Sequence, residues 1–172
     1  MKFINIEVKF KYDNLEEIRK KLKLFGATYE GLDHQIDTYF ETKNGKLKLR
    51  EGNIENNLIF YERQNKKGPK LSTISTYKVT DSKTLKELLN RALNNKIVIN
   101  KKREIYWIHN VKFHLDQVKG LGKFIEIEAI DYNRTIGKKK LLEQCNYYLM
   151  EFNINKDQLI TNSYSDLLEI SS

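Results

Sequence analysis

The sequence contains one proline and one cysteine in 172 residues. A lone cysteine, Cys145, excludes an intrachain disulfide and makes the reducing cytoplasm the expected compartment. With so little proline and no Gly/Ser-rich stretch there is no linker signal, so one domain over residues 1–172 is expected. No apolar run approaches the ~20 residues needed to cross a bilayer. The opening MKFINIEVKF alternates like a strand and lacks the apolar segment of a signal peptide. Neither a membrane partner nor a leader is expected. His34 and His114 lack the partner spacing of a zinc site and read as structural.

What the sequence has is charge. Lys and Arg number 31 against 23 Asp and Glu, a formal net charge of +8. That excess points to an anionic partner without naming it: nucleic acid, a phosphorylated small molecule or an acidic surface.

The order of elements is strand, helix, four strands, helix, three strands, helix. FINIEVKF places Ile4, Ile6, Val8 and Phe10 on one face and Asn5, Glu7 and Lys9 on the other. DNLEEIRKKLKLFG is an amphipathic helix using Leu15, Ile18, Leu22 and Phe25. Asp13 and Glu16 are expected to form a capping box, with Gly26 as the stop. HQIDTYF and KLKLRE form a hairpin about the KNG turn at 43–45, followed by LIFYERQ and STISTYKV. TDSKTLKELLNRAL is a second helix with Leu85, Leu88, Leu89 and Leu93 buried. IVINKKREIYWIH, VKFHLDQV and KFIEIEAI are strands, with GLG at 120–122 as a tight turn. NRTIGKKKLLEQCNYYLMEF is a third helix using Leu141, Cys145, Leu149 and Phe152, and the tail is expected to hold short helical turns.

Many strands carry one charged and one apolar face. Lys46, Lys48 and Arg50 oppose Leu47 and Leu49; Glu126 and Glu128 oppose Ile125 and Ile127; Lys101 shares a face with Arg103. Two architectures satisfy this pattern. An antiparallel sheet can pack its apolar face under the helices and leave its charges in water. A closed barrel can point the same charges inward, provided that they pair or hold a ligand. The alternation does not choose between them. The acidic residues Glu7, Asp116, Glu126 and Glu128 among many basic ones suit a metal–polyphosphate complex. In a nucleic-acid groove, clustered acids would repel the backbone, so nucleic acid is not the expected partner.

NIEVK, HQIDTYF, GKLKLRE, YERQN with GPK, KKREIY, HLDQVKGLGKFIEIE and SYSDLL, in this order, resemble the CYTH superfamily, the triphosphate tunnel metalloenzymes. That superfamily includes class IV adenylate cyclases and thiamine triphosphatases, and the resemblance is to cyclase-like members. It implies an α+β fold, a closed eight-stranded antiparallel β-barrel with amphipathic helices packed outside. It implies Mg²⁺ or Mn²⁺ on Glu7, Asp116, Glu126 and Glu128, with Glu7 or Asp116 as base. It implies that Lys9, Lys48, Arg50, Arg63, Lys78, Lys101 and Arg103 hold a triphosphate. The expected reaction is ATP to cyclic AMP and pyrophosphate; the alternatives are phosphate release from thiamine triphosphate, tripolyphosphate or a nucleoside triphosphate, and binding with little turnover. The family's Glu-x-Glu-x-Lys signature falls on Asn5, Glu7 and Lys9, so the first acidic position is uncharged. A homodimer is compatible with the resemblance.

Overall fold

The computed structural model describes residues 1–64 and 66–171; Asn65 of the YERQN motif lies outside the described residues. The period-two alternation of β1 (Lys2–Lys11) is realised as a two-sided strand, with Ile6, Val8 and Phe10 turned to the helices. Helix α1 (Leu15–Leu24) follows, then β2 (Thr28–Phe40), β3 (Lys46–Glu51), β4 (Asn57–Arg63) and β5 (Lys70–Lys78). Helix α2 (Ser82–Ala92) precedes β6 (Asn95–Ile108), β7 (Val111–Val118) and β8 (Gly122–Asp131). Helix α3 (Lys138–Glu151), a 3-10 turn (Lys156–Gln158), the two-residue β9 (Leu159–Ile160) and α4 (Tyr164–Ser171) complete the chain.

The strands run β5-β4-β3-β2-β6-β7-β8-β1, and β1 pairs back onto β5, closing an eight-stranded antiparallel barrel. At the seam, Glu7 lies opposite Glu128 of β8 on one side and Lys70 of β5 on the other. β9 joins β1 at Lys9 and Phe10, beyond the end of β5. Closure decides which face is inside: the charged one.

Helices α1 and α3 cover β1, β7 and β8. Leu15, Ile18, Leu22, Leu141, Cys145 and Phe152 pack on Phe10, Phe113, Leu115, Ile125 and Ile127. Cys145 is part of this core. Its Sγ–H donates to the Ile6 carbonyl at 3.1 Å, and burial pushes its pKa up to about 12. α2 lays Leu85, Leu89 and Leu93 on Phe40, Leu49 and Val79, but Leu88 is 56% exposed, against the sequence expectation, because this short helix meets the barrel along a narrow stripe. The α1 cap also differs from expectation. Asn14, one residue after Asp13, accepts the Glu17 N–H, so no Asp13–Glu16 box forms. The third helix starts at Lys138, later than its pattern implied, because the Asp131 carboxylate accepts the N–H groups of Thr135, Ile136 and Gly137 and holds that segment as a loop. The KNG turn is as expected: Gly45 has φ of 63°, and a Cβ there would meet the Phe60 ring at 2.6 Å. No described helix is long and apolar enough to cross a membrane.

Candidate active site

The barrel encloses a cavity of about 350 Å³. Seven basic side chains line it: Lys9, Lys48, Arg50, Arg63, Lys101, Arg103 and Lys112. Four acids join them: Glu7, Glu55, Glu126 and Glu128. Nine of the residues singled out from sequence are therefore brought together, from five different strands. Two are not.

Asp116, expected as metal ligand and base, is fully buried on the inward face of β7 and does not line the cavity. Arg103 Nε and Nη2 grip its two oxygens at 2.7 and 2.5 Å, and the Tyr164 hydroxyl donates to it at 2.7 Å. Three donors thus converge on its two oxygens, and Asp116 holds Arg103 in place. Lys78 has the inward parity of β5, but it sits at the exposed end of that strand, opposite Asn57, and does not reach the cavity. The buried lysine of β5 is Lys70, whose Nζ donates to the Thr161 carbonyl at 2.6 Å and ties down the segment before α4.

Every lining cation is matched by a carboxylate. Lys9 meets Glu126 at 3.0 Å, Arg63 meets Glu7 at 2.8 Å, and Arg103 reaches Glu126 at 2.8 Å as well as Asp116. Asp37 is the hub of a second cluster: Lys48 at 2.8 Å, Lys101 at 2.7 Å and both Arg50 Nε and Nη2 at 2.8 and 3.0 Å. Glu55 bridges Arg50 (2.7 Å) and Lys112. These pairings are what make a charged interior tolerable before any ligand arrives. With Asp37 and Asp116 counted, seven cations face six carboxylates, so a small positive excess remains for an anion.

The electrostatics follow from this crowding. Burial pushes the Asp37 carboxyl up, but Arg50, Lys101 and Lys48 overcome it and hold the group well below 3.8. Burial lowers Lys101 to about 7, against the pull of Asp37, and lowers Lys70 to about 8 with help from Arg63. Glu128 is pushed up to about 7 by burial and by its neighbours Glu126 and Glu7. Glu126 goes the other way: Lys9, His114 and Arg103 outweigh its burial.

His114, read as structural from the sequence, lies beside two carboxylates. Its Nδ1 lies 3.3 Å from Glu126 and 3.6 Å from Glu128, and ligand atoms of the three residues fall within 4.8 Å of one another. Burial and Arg103 lower its pKa to about 3, so the imidazole is neutral, and its Nε2 is buried without a hydrogen-bond partner. Among the described residues, no Lys or Arg forms a salt bridge with Glu128. A neutral imidazole beside two carboxylates, one of them without a salt bridge to Lys or Arg, fits a divalent metal ion.

Sequence reasoning missed Asp37, Glu55, Lys112, Tyr164 and the approach of His114 to Glu126 and Glu128. Lys112 and His114 share the parity of Asp116 in VKFHLD, so the alternation held that signal. Asp37 lies inside the HQIDTYF motif. Glu55 lies in a loop with no pattern of its own.

A CYTH domain family model matches residues 4–158. The chain belongs to the CYTH family. A Methanocaldococcus jannaschii protein named "Putative adenylate cyclase" is 30% identical over 95% of this chain and 98% of its own length. The solved structure of a Pyrococcus horikoshii OT3 protein is 28% identical, with a TM-score of 0.75, covering 95% of this chain and 98% of that one. A Vibrio parahaemolyticus protein described as a putative adenylate cyclase shares the fold, with a TM-score of 0.79 at 16% identity over 96% of this chain and 98% of that one. Against the CYTH signature, Asn5 is the departure. Its side chain is buried between Ser72 and Ile130, and neither amide atom has a hydrogen-bond partner.

Proposed function

We propose that this CYTH protein is a divalent-metal-dependent enzyme acting on a nucleotide or similar organic triphosphate, converting ATP to cyclic AMP and pyrophosphate. The observation that carries the reading is the cavity lining: seven convergent cations beside a His114–Glu126–Glu128 cluster inside a closed barrel. The name of the Methanocaldococcus jannaschii relative supports the cyclase assignment.

His114, Glu126 and Glu128 would hold Mg²⁺ or Mn²⁺, which when bound supplies charge neutralisation at phosphate oxygens. Arg50, Arg63 and Arg103 offer forked donors to the phosphates, and Lys9, Lys48, Lys101 and Lys112 supply point charges. Their carboxylate partners keep them aimed inward, so little reorganisation is needed when an anion replaces water. In cyclisation the ribose 3′-oxygen forms a bond to the α-phosphorus, pyrophosphate leaves, and the hydroxyl proton passes to a carboxylate. The acceptor we assign is Glu7, supported by its position in the cavity lining beside Arg63. Water attacking the γ-phosphorus in the same cradle gives the triphosphatase alternative.

Asn5 supports a second reading, slow turnover with retained binding, because an uncharged residue stands where the family signature has its first glutamate. The test is to incubate the protein with ATP, thiamine triphosphate and tripolyphosphate plus Mg²⁺ or Mn²⁺, and to quantify cyclic AMP, pyrophosphate and phosphate. Cyclic AMP that disappears in Glu126→Gln supports the cyclase. Phosphate alone assigns a triphosphatase. Tight binding with no product under any condition rules out the enzyme.

A further inference from the structure

Among the described residues that line the cavity, one carboxylate is not carried by a strand. Glu7 stands on β1, and Glu126 and Glu128 on β8, whereas Glu55 stands on the β3–β4 loop, residues 52–56. That loop lies away from α4. β3 begins at Lys46, which pairs with Asp166 of α4, and a rise of ~3.3 Å per residue puts Arg50 about 13 Å further along. The loop is held from several sides. The buried Asp33 carboxylate accepts the N–H groups of Ile54 and Glu55 at 2.9 and 3.0 Å. The Gly52 N–H donates to Asn56 Oδ1 at 3.1 Å, and Asn56 Nδ2 donates back to the Gly52 carbonyl at 2.7 Å. Asn53 accepts the His34 N–H and donates to the Leu32 carbonyl. The buried Gln35 Nε2 then joins Asp33 to Glu55, at 2.7 and 3.0 Å. The Glu55 carboxylate is therefore fixed in place by its own loop and by Gln35.

The donors that Glu55 holds are those that its neighbours leave over. Arg50 gives Nε and Nη2 to Asp37, and its Nη1 goes to Glu55 at 2.7 Å. Among the described residues, Lys112 makes its one salt bridge to Glu55. Burial would raise the Glu55 carboxyl, but Arg50 and Lys112 hold it well below 4.5, so it is ionised. A fixed anion on two convergent cations fills the place that a phosphate would take. A second anion brought there finds no free donor and meets like charge. At the other end the cavity runs up against Tyr164 at the start of α4. We propose that Glu55 is a length stop: it fills the anion subsite formed by Arg50 Nη1 and Lys112, so that the tunnel takes three phosphoryl groups and turns away a fourth. The proposal rests on the triphosphate reading above and adds a specificity-determining residue to it. In a triphosphate ester the atom beyond the third phosphorus is an uncharged ester oxygen, which an acid tolerates. In a longer polyphosphate the next group is another anion.

The experiment is metal-free calorimetric binding of tripolyphosphate and tetrapolyphosphate to the wild type, to Glu55→Gln and to the double variant Glu55→Gln/Lys112→Met. The double variant removes the lysine of the subsite along with its occupant and leaves no unpaired amine there. The wild type should bind tetrapolyphosphate no more than about twofold more tightly than tripolyphosphate, because the fourth phosphoryl group finds no free donor. Glu55→Gln should favour tetrapolyphosphate by about tenfold, the scale of one added hydrogen bond to a charged group. The double variant should lose most of that preference. A wild type that already favours tetrapolyphosphate by about tenfold overturns the length stop, and that measurement needs no variant to fold. Equal gains for both ligands in Glu55→Gln, the mark of a general charge effect, or a preference that survives Lys112→Met also overturns it and leaves the triphosphate reading standing. A wild type that binds neither ligand overturns both.

Discussion

Replacing Asp37 by Asn tests whether internal pairing is what makes this charged interior stable. The substitution keeps the shape and removes one charge. It strips the counterion from Lys48, Lys101 and Arg50, which approach Asp37 at 2.7–3.0 Å and are themselves largely buried. Removing one partner of a buried pair costs about 3–5 kcal/mol. In a chain of this size each kcal/mol moves Tm by about 2–4 °C, so the variant should melt roughly 6–20 °C lower. Differential scanning calorimetry is the assay. Two further features follow. Tripolyphosphate should raise the Tm of the variant more than that of the wild type, because the anion supplies the missing negative charge. The wild-type advantage should also depend on pH. Asp37 is held well below 3.8 in the fold, so its contribution is complete above the unfolded pKa and is lost as pH falls through the folded one. The gap between the proteins should therefore narrow below about pH 4. A Tm within 2 °C of wild type at pH 7, with unchanged stabilisation by tripolyphosphate, would refute the reasoning.

Lys101, at about 7, lines the cavity and makes anion binding sensitive to pH, since a triphosphate favours its charged amine; Lys70, at about 8, is buried nearby and titrates in the same range. Metal-free tripolyphosphate should bind progressively more weakly from pH 6.5 to 9, with proton uptake on binding at pH 8, read as a buffer-dependent enthalpy. For the ligand-free protein the sign reverses: the fold releases these protons before the unfolded chain does, so their contribution to stability rises with pH above about 7. Asn5→Glu restores the family's first acidic position next to Glu7; it should lower metal-free Tm, enlarge the Tm rise caused by Mn²⁺ and increase turnover, and unchanged values on all three would exclude Asn5 as the limiting residue. Gly52→Ala puts a Cβ 2.6 Å from Asp33 Oδ1, whose carboxylate accepts the N–H groups of Ile54 and Glu55, so the loop carrying Glu55 must move. Overpacking of this kind costs about 1–3 kcal/mol, and urea denaturation that shows no loss would contradict the contact.

The sequence by itself determined the strands, the helices and the segregation of charge from apolar residues on each strand, because side-chain period is a local property. It also carried, through motif order, nine of the residues that now line the cavity. The alternation by itself could not say which face was inside; the family resemblance implied the charged one, and the closed barrel bears it out. The choice of face depends on β1 pairing with β5, some seventy residues away, and no local pattern encodes closure. Nor could it say which charge meets which. Asp116 matches the family position, but the tertiary structure encloses it in the Arg103 fork and under the Tyr164 hydroxyl. Lys78 keeps the right parity and ends too near the rim. Asp37 becomes a hub because β2 lies between β3, which brings Lys48 and Arg50, and β6, which brings Lys101. His114 becomes a candidate ligand because β7 places it opposite Glu126. Asn5 was visible as a departure in the sequence; only the closed barrel shows it as a buried amide without partners, beside the acids it would have joined.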